Sequence, residues 1–418
     1  MLDSLLSGAA FGAALTASGM YEPSVILSQM RLENWHSALL TIPSKNRAAV
    51  TLCQKLGYIR VSPRSYSSLG LFGPLDGNII GGYLLGVGMS LTGSCPGTVF
   101  AQVGTGVRSG LYTLSGAILG GIIWSGFLRS AVASLKRKGG ASAPEDENLT
   151  IHGALGVSKA VAFVGVETIF AGAVATISAL GLVKTQGLVS PILGGFAVAS
   201  AQLFSALVRR TLLGTSASFE ELGDYISWLF RGGGDGKPKS YNSIAVVTGM
   251  VIGAFCLTSY LPLPPFPDAP IKTMRLILGG VLLTIGARLG GGCTSGHGIT
   301  GISLLSVSSF VTVAAMFAGA LTSPSFLLPE PLIAVTSISI FISSFMSPAE
   351  TIVAAGRACP NHFLSTGQTF GKSRRSGTVY VTRTTSSISA PASASAAATL
   401  TRHCSVCSTT SGDIVPVL

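Results

Sequence analysis

Two cysteines of this chain stand in short motifs that are rich in glycine and hydroxyl residues. The first motif reads Leu-Thr-Gly-Ser-Cys-Pro-Gly-Thr over residues 91–98, and the second reads Arg-Leu-Gly-Gly-Gly-Cys-Thr-Ser-Gly-His-Gly over residues 288–298. Neither motif contains Asp or Glu. Thiols, hydroxyls and backbone N–H groups bind anions without holding them too tightly for release. The candidate substrate-binding residues are Cys95, Cys293, Ser94, Thr98, Thr294, Ser295, His297, Gly93 and Gly292.

The residues around each cysteine predict how the backbone presents it. Proline is favoured at the first position of a helix, so Pro96 predicts a helix with Cys95 as its N-cap, at the positive end of the helix dipole. In the second motif, glycines on both sides of Cys293 predict a break in a helix that begins near Leu276. Thr294 and Ser295 can then cap the half-helix that follows. A broken helix at membrane depth must line a cavity or be buried in protein.

The two motifs belong to an internal repeat. A constant offset of 198 residues aligns Gly81, Gly82, Gly88 and Gly93 with glycines and Cys95 with Cys293. Residues 1–150 and 151–350 are therefore predicted to be two related halves. Repeated halves of transporters commonly build one site at their interface. We expect Cys95 and Cys293 to face each other across a pseudo-two-fold axis.

The composition is that of a membrane protein. Of the 418 residues, 48% are hydrophobic, only 10% are charged and 53 are glycine. Ordinary soluble proteins carry about 25% charged residues, and a fully disordered chain is far less apolar. We predict an all-α polytopic membrane protein with eight to ten transmembrane helices plus re-entrant half-helices. Its apolar runs are 4–17, 79–91, 110–128, 157–182, 189–208, 244–261, 276–285, 302–321 and 332–345.

The net charge of +11 lies mostly between the apolar runs. The positive-inside rule places three basic clusters in the cytoplasm, at residues 129–138, 209–239 and 372–375. An anionic substrate could use part of the same field. Residues 351–418 are rich in Ser, Thr and Ala, and they are predicted to be a disordered tail.

Several other residues carry open alternatives. The seven cysteines are odd in number and irregular in spacing, so they do not indicate a disulfide framework. The tail pair Cys404 and Cys407 is half a zinc site at most, and no metal or cofactor is expected.

His297 could pair with Cys293 or serve helix packing, and Arg288 could be a site cation or a helix anchor. Glu167, inside an apolar run, could couple protons or pair locally.

Both cysteine motifs resemble those of a known family. The string GARLGGGCTSGHGITG (286–301) resembles the signature of the YeeE/YedE sulphur transport family, also called the thiosulfate transporter family, and GMSLTGSCPGT (88–98) resembles its motif in the other half. The resemblance covers residues 5–350. It implies a multi-helix membrane protein that imports thiosulfate or related sulfur compounds, with Cys95 and Cys293 handing the ion along by S–H···S contacts. Many members carry a further cysteine where this chain reads Ala17-Ser18-Gly19-Met20.

These observations predict a non-enzymatic function. We expect import of thiosulfate or a related small sulfur-containing anion through a cysteine-lined pathway. The alternative is a membrane thiol enzyme or persulfide carrier of the sulfurtransferase kind. Expected partners are the lipid bilayer and a cytoplasmic sulfur-accepting protein, with no nucleic acid. The plasma membrane is the expected location, and an organelle membrane is the alternative.

Overall fold

The computed structural model describes most of the chain up to residue 323. The described residues are 1–34, 54, 57, 59, 62–138, 149–181, 187–230, 232, 238, 240–263, 271–323, 373–375 and 378–380. Two units are distinguished, Met1–Ser347 and Pro348–Leu418. The predicted span at 332–345 and the tail cysteines at 404 and 407 lie outside the described residues.

The described elements of the first unit are helices. In chain order they are α1 (Leu2–Ala17), α2 (Pro23–Met30), α3 (Asp76–Thr92), α4 (Thr98–Gly104), α5 (Arg108–Ile123), α6 (Arg129–Lys138), α7 (Ile151–Leu155), α8 (Lys159–Ala179), α9 (Pro191–Arg209), α10 (Ser216–Phe230), α11 (Asn242–Tyr260), α12 (Thr273–Leu289) and α13 (Val307–Leu321). A π-helical turn at Trp124–Leu128 joins α5 to α6, and a π-helical segment, Ser295–Gly301, follows α12.

In the second unit the described part is one pair of short antiparallel strands. These are β1 (Ser373–Arg375) and β2 (Thr378–Tyr380), with Arg374 opposite Val379. The remainder of the predicted disordered tail lies outside the described residues.

Four helical segments of the described part are long and apolar enough to cross a bilayer. They are Arg108–Lys136, Lys159–Ala179, Pro191–Arg209 and Asn242–Tyr260. The apolar helices Leu2–Ala17 and Val307–Leu321 are shorter than a full span. Only 6% of the apolar stretch of α8 is buried. This helix therefore turns valines and isoleucines outward, as a lipid-facing helix does. The prediction of an all-α, multi-pass membrane protein is confirmed.

Helices α3 and α12 cross in the middle of the first unit through matched glycines. A Cβ on Gly88 would lie 2.8 Å from the Gly279 carbonyl oxygen, and a Cβ on Gly81 would lie 2.7 Å from the Gly286 carbonyl oxygen. Adding 198 to 88 gives 286, and subtracting 198 from 279 gives 81, so the repeat converts one pair into the other. This reciprocity is the contact pattern of two antiparallel helices related by a two-fold axis. The boundaries of the two halves, 1–150 and 151–350, stay a prediction.

The neighbouring helices repeat this relation to within one residue. A Cβ on Gly82 of α3 would meet the Thr312 carbonyl oxygen of α13 at 2.5 Å, and a Cβ on Gly280 of α12 would meet the Thr113 carbonyl oxygen of α5. Glycine lets these backbones approach closely where no other residue fits. The helix pairs therefore hold the chain segments that follow α3 and α12, which are the two cysteine motifs, in fixed positions.

Candidate functional site

The first motif is a tight turn between α3 and α4. α3 ends at Thr92, and Gly93 has a φ of +64° with its α-carbon packed against Pro23, where a Cβ would lie 2.7 Å from the proline Cβ. The Ser94 hydroxyl donates to Gln102 Oε1 at 2.5 Å, and Gln102 Nε2 donates to the Gly93 carbonyl at 3.0 Å. Ser94 and Gly93 thus shape the turn, because their polar groups bind Gln102.

The predicted start of the helix after Cys95 is wrong by two residues. Pro96 lies in the turn, and regular helix α4 begins at Thr98 with Gly97 as its N-cap. Cys95 nevertheless makes the hydrogen bonds predicted for an N-cap, in the reciprocal arrangement of a capping box. The Cys95 N–H donates to Thr98 Oγ1 at 2.8 Å, and the Thr98 N–H donates to Cys95 Sγ at 3.3 Å. The sulfur still takes one N–H of the first turn, as a capping residue does.

The second motif buries its cysteine completely. α12 ends at Leu289, Gly291 takes a φ of +78°, and the predicted break is present before the π-helical segment 295–301. Cys293 is 1% exposed, and its Sγ lies 3.0 Å from Ser295 Oγ and 3.5 Å from Thr215 Oγ1. The thiol therefore lies among hydroxyl groups.

His297 does not pair with Cys293 through its ring. Its Nε2 lies 3.1 Å from the Gly290 carbonyl oxygen, and its Nδ1 lies 3.0 Å from Ser309 Oγ. A carbonyl oxygen can only accept, so Nε2 carries the proton and donates, and in the neutral ring Nδ1 accepts from Ser309. The imidazole joins the end of α12 to α13. Of the two alternatives for this residue, the contacts are those of the packing role.

Arg64 lies far from the second motif in the sequence but binds its backbone at two points, and sequence reasoning missed it. Its Nε donates to the Gly296 carbonyl oxygen and its Nη1 to the Gly291 carbonyl oxygen, both at 2.9 Å. A Cβ on Gly292 would lie 2.7 Å from Nη1, and one on Gly296 would lie 2.5 Å from Nη2. These glycines therefore make room for a guanidinium. The unusual density of glycines around Cys293 was the available signal.

Thr215 joins the two motifs. Its Oγ1 lies 3.5 Å from Cys293 Sγ, and a Cβ on Gly97 would lie 3.5 Å from the same oxygen. Cys95 and Cys293 also pack against one cluster of buried side chains, which includes Met89 and Met316. The repeat provided a signal for Thr215, because Leu213-Gly214-Thr215 matches Ser18-Gly19-Met20 loosely.

A cavity of about 260 Å³ opens beside this contact. Cys95, Thr98, Thr294 and Ser295 line it together. Four of the chain's eight methionines also line it, namely Met20, Met30, Met89 and Met316. Its wall is therefore mostly apolar and polarisable, with thiol and hydroxyl groups at one place. Four of the predicted site residues share this cavity, whereas Gly93, Ser94, Gly292, Cys293 and His297 are not part of its wall.

Arg288 lies in an ion-pair network outside this cavity. Its guanidinium pairs with Glu220 of α10, and Arg129 binds Glu220 and Asp224 at 2.5 and 2.9 Å. Glu167 lies half-buried on α8. Within the described part of the chain no group of three His, Cys, Asp or Glu residues could hold a metal ion.

The part of the chain that contains both motifs matches a known protein family. The family model described as "Sulphur transport" matches residues 18–322. The chain is 27% identical over 276 residues to the thiosulfate transporter TsuA of Spirochaeta thermophila, covering 62% of this chain and 78% of that one. It is 28% identical over 137 residues to a probable transporter of Xylella fastidiosa, covering 33% of this chain and 93% of that one. The Xylella protein is thus close in length to one predicted half. The chain belongs to the sulphur transport family.

Proposed function

We propose that this chain imports thiosulfate or a related small sulfur-containing anion, and that the ion passes between the two cysteine motifs. The observation that carries the proposal is the position of Thr215, whose hydroxyl lies beside both Cys293 and Gly97. The family and the similarity to a thiosulfate transporter support the substrate class. The plasma membrane is the location we expect.

The chemistry of the wall suits an ion with one soft and one hard end. Thiosulfate carries a polarisable sulfur and an oxygen end that accepts hydrogen bonds. The Cys95 thiol can donate weakly to the sulfur, and the hydroxyls of Thr98, Thr294 and Ser295 can donate to the oxygens. The partners are weak individually, which permits release. A carboxylate here would repel a dianion, and no described residue that lines this cavity is Asp or Glu.

The rival function is a membrane thiol enzyme. Such an enzyme activates its thiol with an adjacent base. His297 is the nearby candidate, and both of its ring nitrogens are directed to Ser309 and Gly290 instead. The geometry therefore favours a thiol that binds the ion without covalent chemistry, and we propose a transporter rather than a sulfurtransferase.

The test is uptake of radiolabelled thiosulfate into liposomes that contain the full chain. Cys95→Ala and Cys293→Ala should each lower uptake about tenfold or more, because each removes a donor worth about 1.4 kcal/mol in the occupied passage. Cys256→Ala is the matched control, since this cysteine is exposed on α11. Wild-type uptake by both motif variants would refute the thiol pathway. A covalent persulfide on Cys293 during turnover would favour the rival.

A further inference from the structure

A second cavity of about 560 Å³ lies beside Gly291 and is strongly cationic. Four basic side chains line it: Arg64, Lys136, Arg210 and Arg288. The other described residues of its wall are mainly hydroxyl and small side chains, and none is Asp or Glu. A cavity with one sign of charge raises the local concentration of ions of the opposite sign.

The four cations do not serve the same role. Arg288 shares Glu220 with Arg129, and Arg64 is held by two carbonyl oxygens. Lys136 and Arg210 are exposed and come from two separate helix ends, α6 and the C-cap of α9. Because both side chains are exposed, their charge faces the open part of the cavity.

The backbone of Arg210 is held in an unfavourable conformation. Its φ is +57°, the left-handed region in which glycine is favoured at a helix C-cap. An arginine there costs stability that a glycine would not. Such an outlier beside a cavity is a reason to look for a function of the side chain.

The cationic cavity is separated from the Cys95 cavity by one short segment. Thr300 and Leu304 line the cationic cavity, whereas Ile299 and Ile302 line the other one. Gly291 lines the cationic cavity and accepts from Arg64, which also holds the Gly296 carbonyl next to Ser295. A passage that runs from the Cys95 cavity past Cys293 would therefore reach the cationic cavity on the other side of this segment.

We propose that the cavity formed by Arg64, Lys136, Arg210 and Gly291 is a binding site for small divalent oxyanions at one mouth of the passage. This site recognises the charge of the ion rather than its soft sulfur, so both sulfate and thiosulfate bind there. The proposal rests on the proposed function for its place in transport. Lys136 and Arg210 belong to clusters that the positive-inside rule puts in the cytoplasm, where an imported ion leaves.

The test is titration calorimetry on the detergent-solubilised full chain with sulfate and thiosulfate as probes. In a Cys95→Ala, Cys293→Ala background both ions should still bind, and binding should weaken as salt rises. Lys136→Gln and Arg210→Gly should each raise the Kd about tenfold, because each removes a charge that faces the ion. Arg210→Gly should also be at least as stable as the parent, which separates lost charge from lost fold.

The matched control is Arg108→Gln. Arg108 is exposed and begins the same helical segment that reaches Lys136, at its other end. Unchanged Kd values in Lys136→Gln and Arg210→Gly, or an equal loss in Arg108→Gln, would overturn the proposal. Binding with these properties in a wild-type chain that transports no thiosulfate would refute the proposed function and leave the anion site established.

Discussion

At the scale of single residues, the contact between Thr215 and Cys293 is the basis of the proposed thiol pathway. The buried thiol has two hydroxyl neighbours, and one of them also reaches the turn that carries Cys95. The sequence could predict the two cysteines, because a rare residue recurs in the frame of the repeat. Only indirect signals pointed to Thr215 and Arg64, namely the loose repeat match and the density of glycines, because both residues reach the site only after the helices pack.

Replacing Thr215 by Val tests the shared hydroxyl. Val keeps the branched shape and removes the oxygen near Cys293 Sγ, so we expect thiosulfate uptake to fall several-fold, corresponding to about 1 kcal/mol. Thr215→Ser should retain most of the uptake. The control is Thr248→Val, since Thr248 is an exposed residue of α11 whose hydroxyl donates to a carbonyl of its own helix. Equal uptake by Thr215→Val and Thr248→Val would exclude a role for this hydroxyl.

Ser309→Ala tests the packing role of His297. It leaves the buried Nδ1 without the donor that now lies at 3.0 Å, which should cost about 1–3 kcal/mol of folding free energy. Thermal unfolding in detergent measures this loss. Ser134→Ala removes an exposed hydrogen bond to Ser130 and should change little. If Ser309→Ala were as stable as wild type yet inactive, His297 would act on the ion instead.

At the scale of elements, α3 and α12 act as one crossed pair that fixes both motifs. The apolar runs predicted the spans α8, α9 and α11 to within a few residues, because their length and composition need no partner. The regular part of α4 begins two residues after the position that Pro96 predicts, although Cys95 makes the capping hydrogen bonds expected of it. The π-helical segment after Cys293 also follows from tertiary contacts with Arg64 and α13.

Gly88→Ala tests this crossing. The added Cβ would lie 2.8 Å from the Gly279 carbonyl oxygen and from the Leu283 nitrogen, both backbone atoms, so the helices must separate. We expect destabilisation of about 1–3 kcal/mol. Gly172→Ala on α8 meets no atom within 4 Å and should gain up to about 1 kcal/mol from helix propensity. If both variants shifted the unfolding temperature in the same direction from wild type, the close packing of α3 on α12 at Gly88 would be contradicted.

At the scale of the whole molecule, two cavities of different character flank one short segment. One cavity is apolar and rich in sulfur, and the other is cationic and rich in hydroxyls. Composition predicted the membrane setting, since 10% charged residues cannot cover a soluble protein of this size. It could not predict this division, because Lys136, Arg210 and Arg64 come from distant parts of the chain.

The most direct test of the central claim is whether thiosulfate shields Cys95 from a thiol reagent. Wild-type protein in liposomes is treated briefly with N-ethylmaleimide, and mass spectrometry gives the modification of Cys95 relative to that of a water-soluble thiol peptide in the same sample, which corrects for reagent that thiosulfate consumes. We predict that thiosulfate lowers the ratio of Cys95 modification to peptide modification several-fold and that chloride does not. A ratio that stays constant up to saturating thiosulfate would contradict passage of the ion between the two motifs.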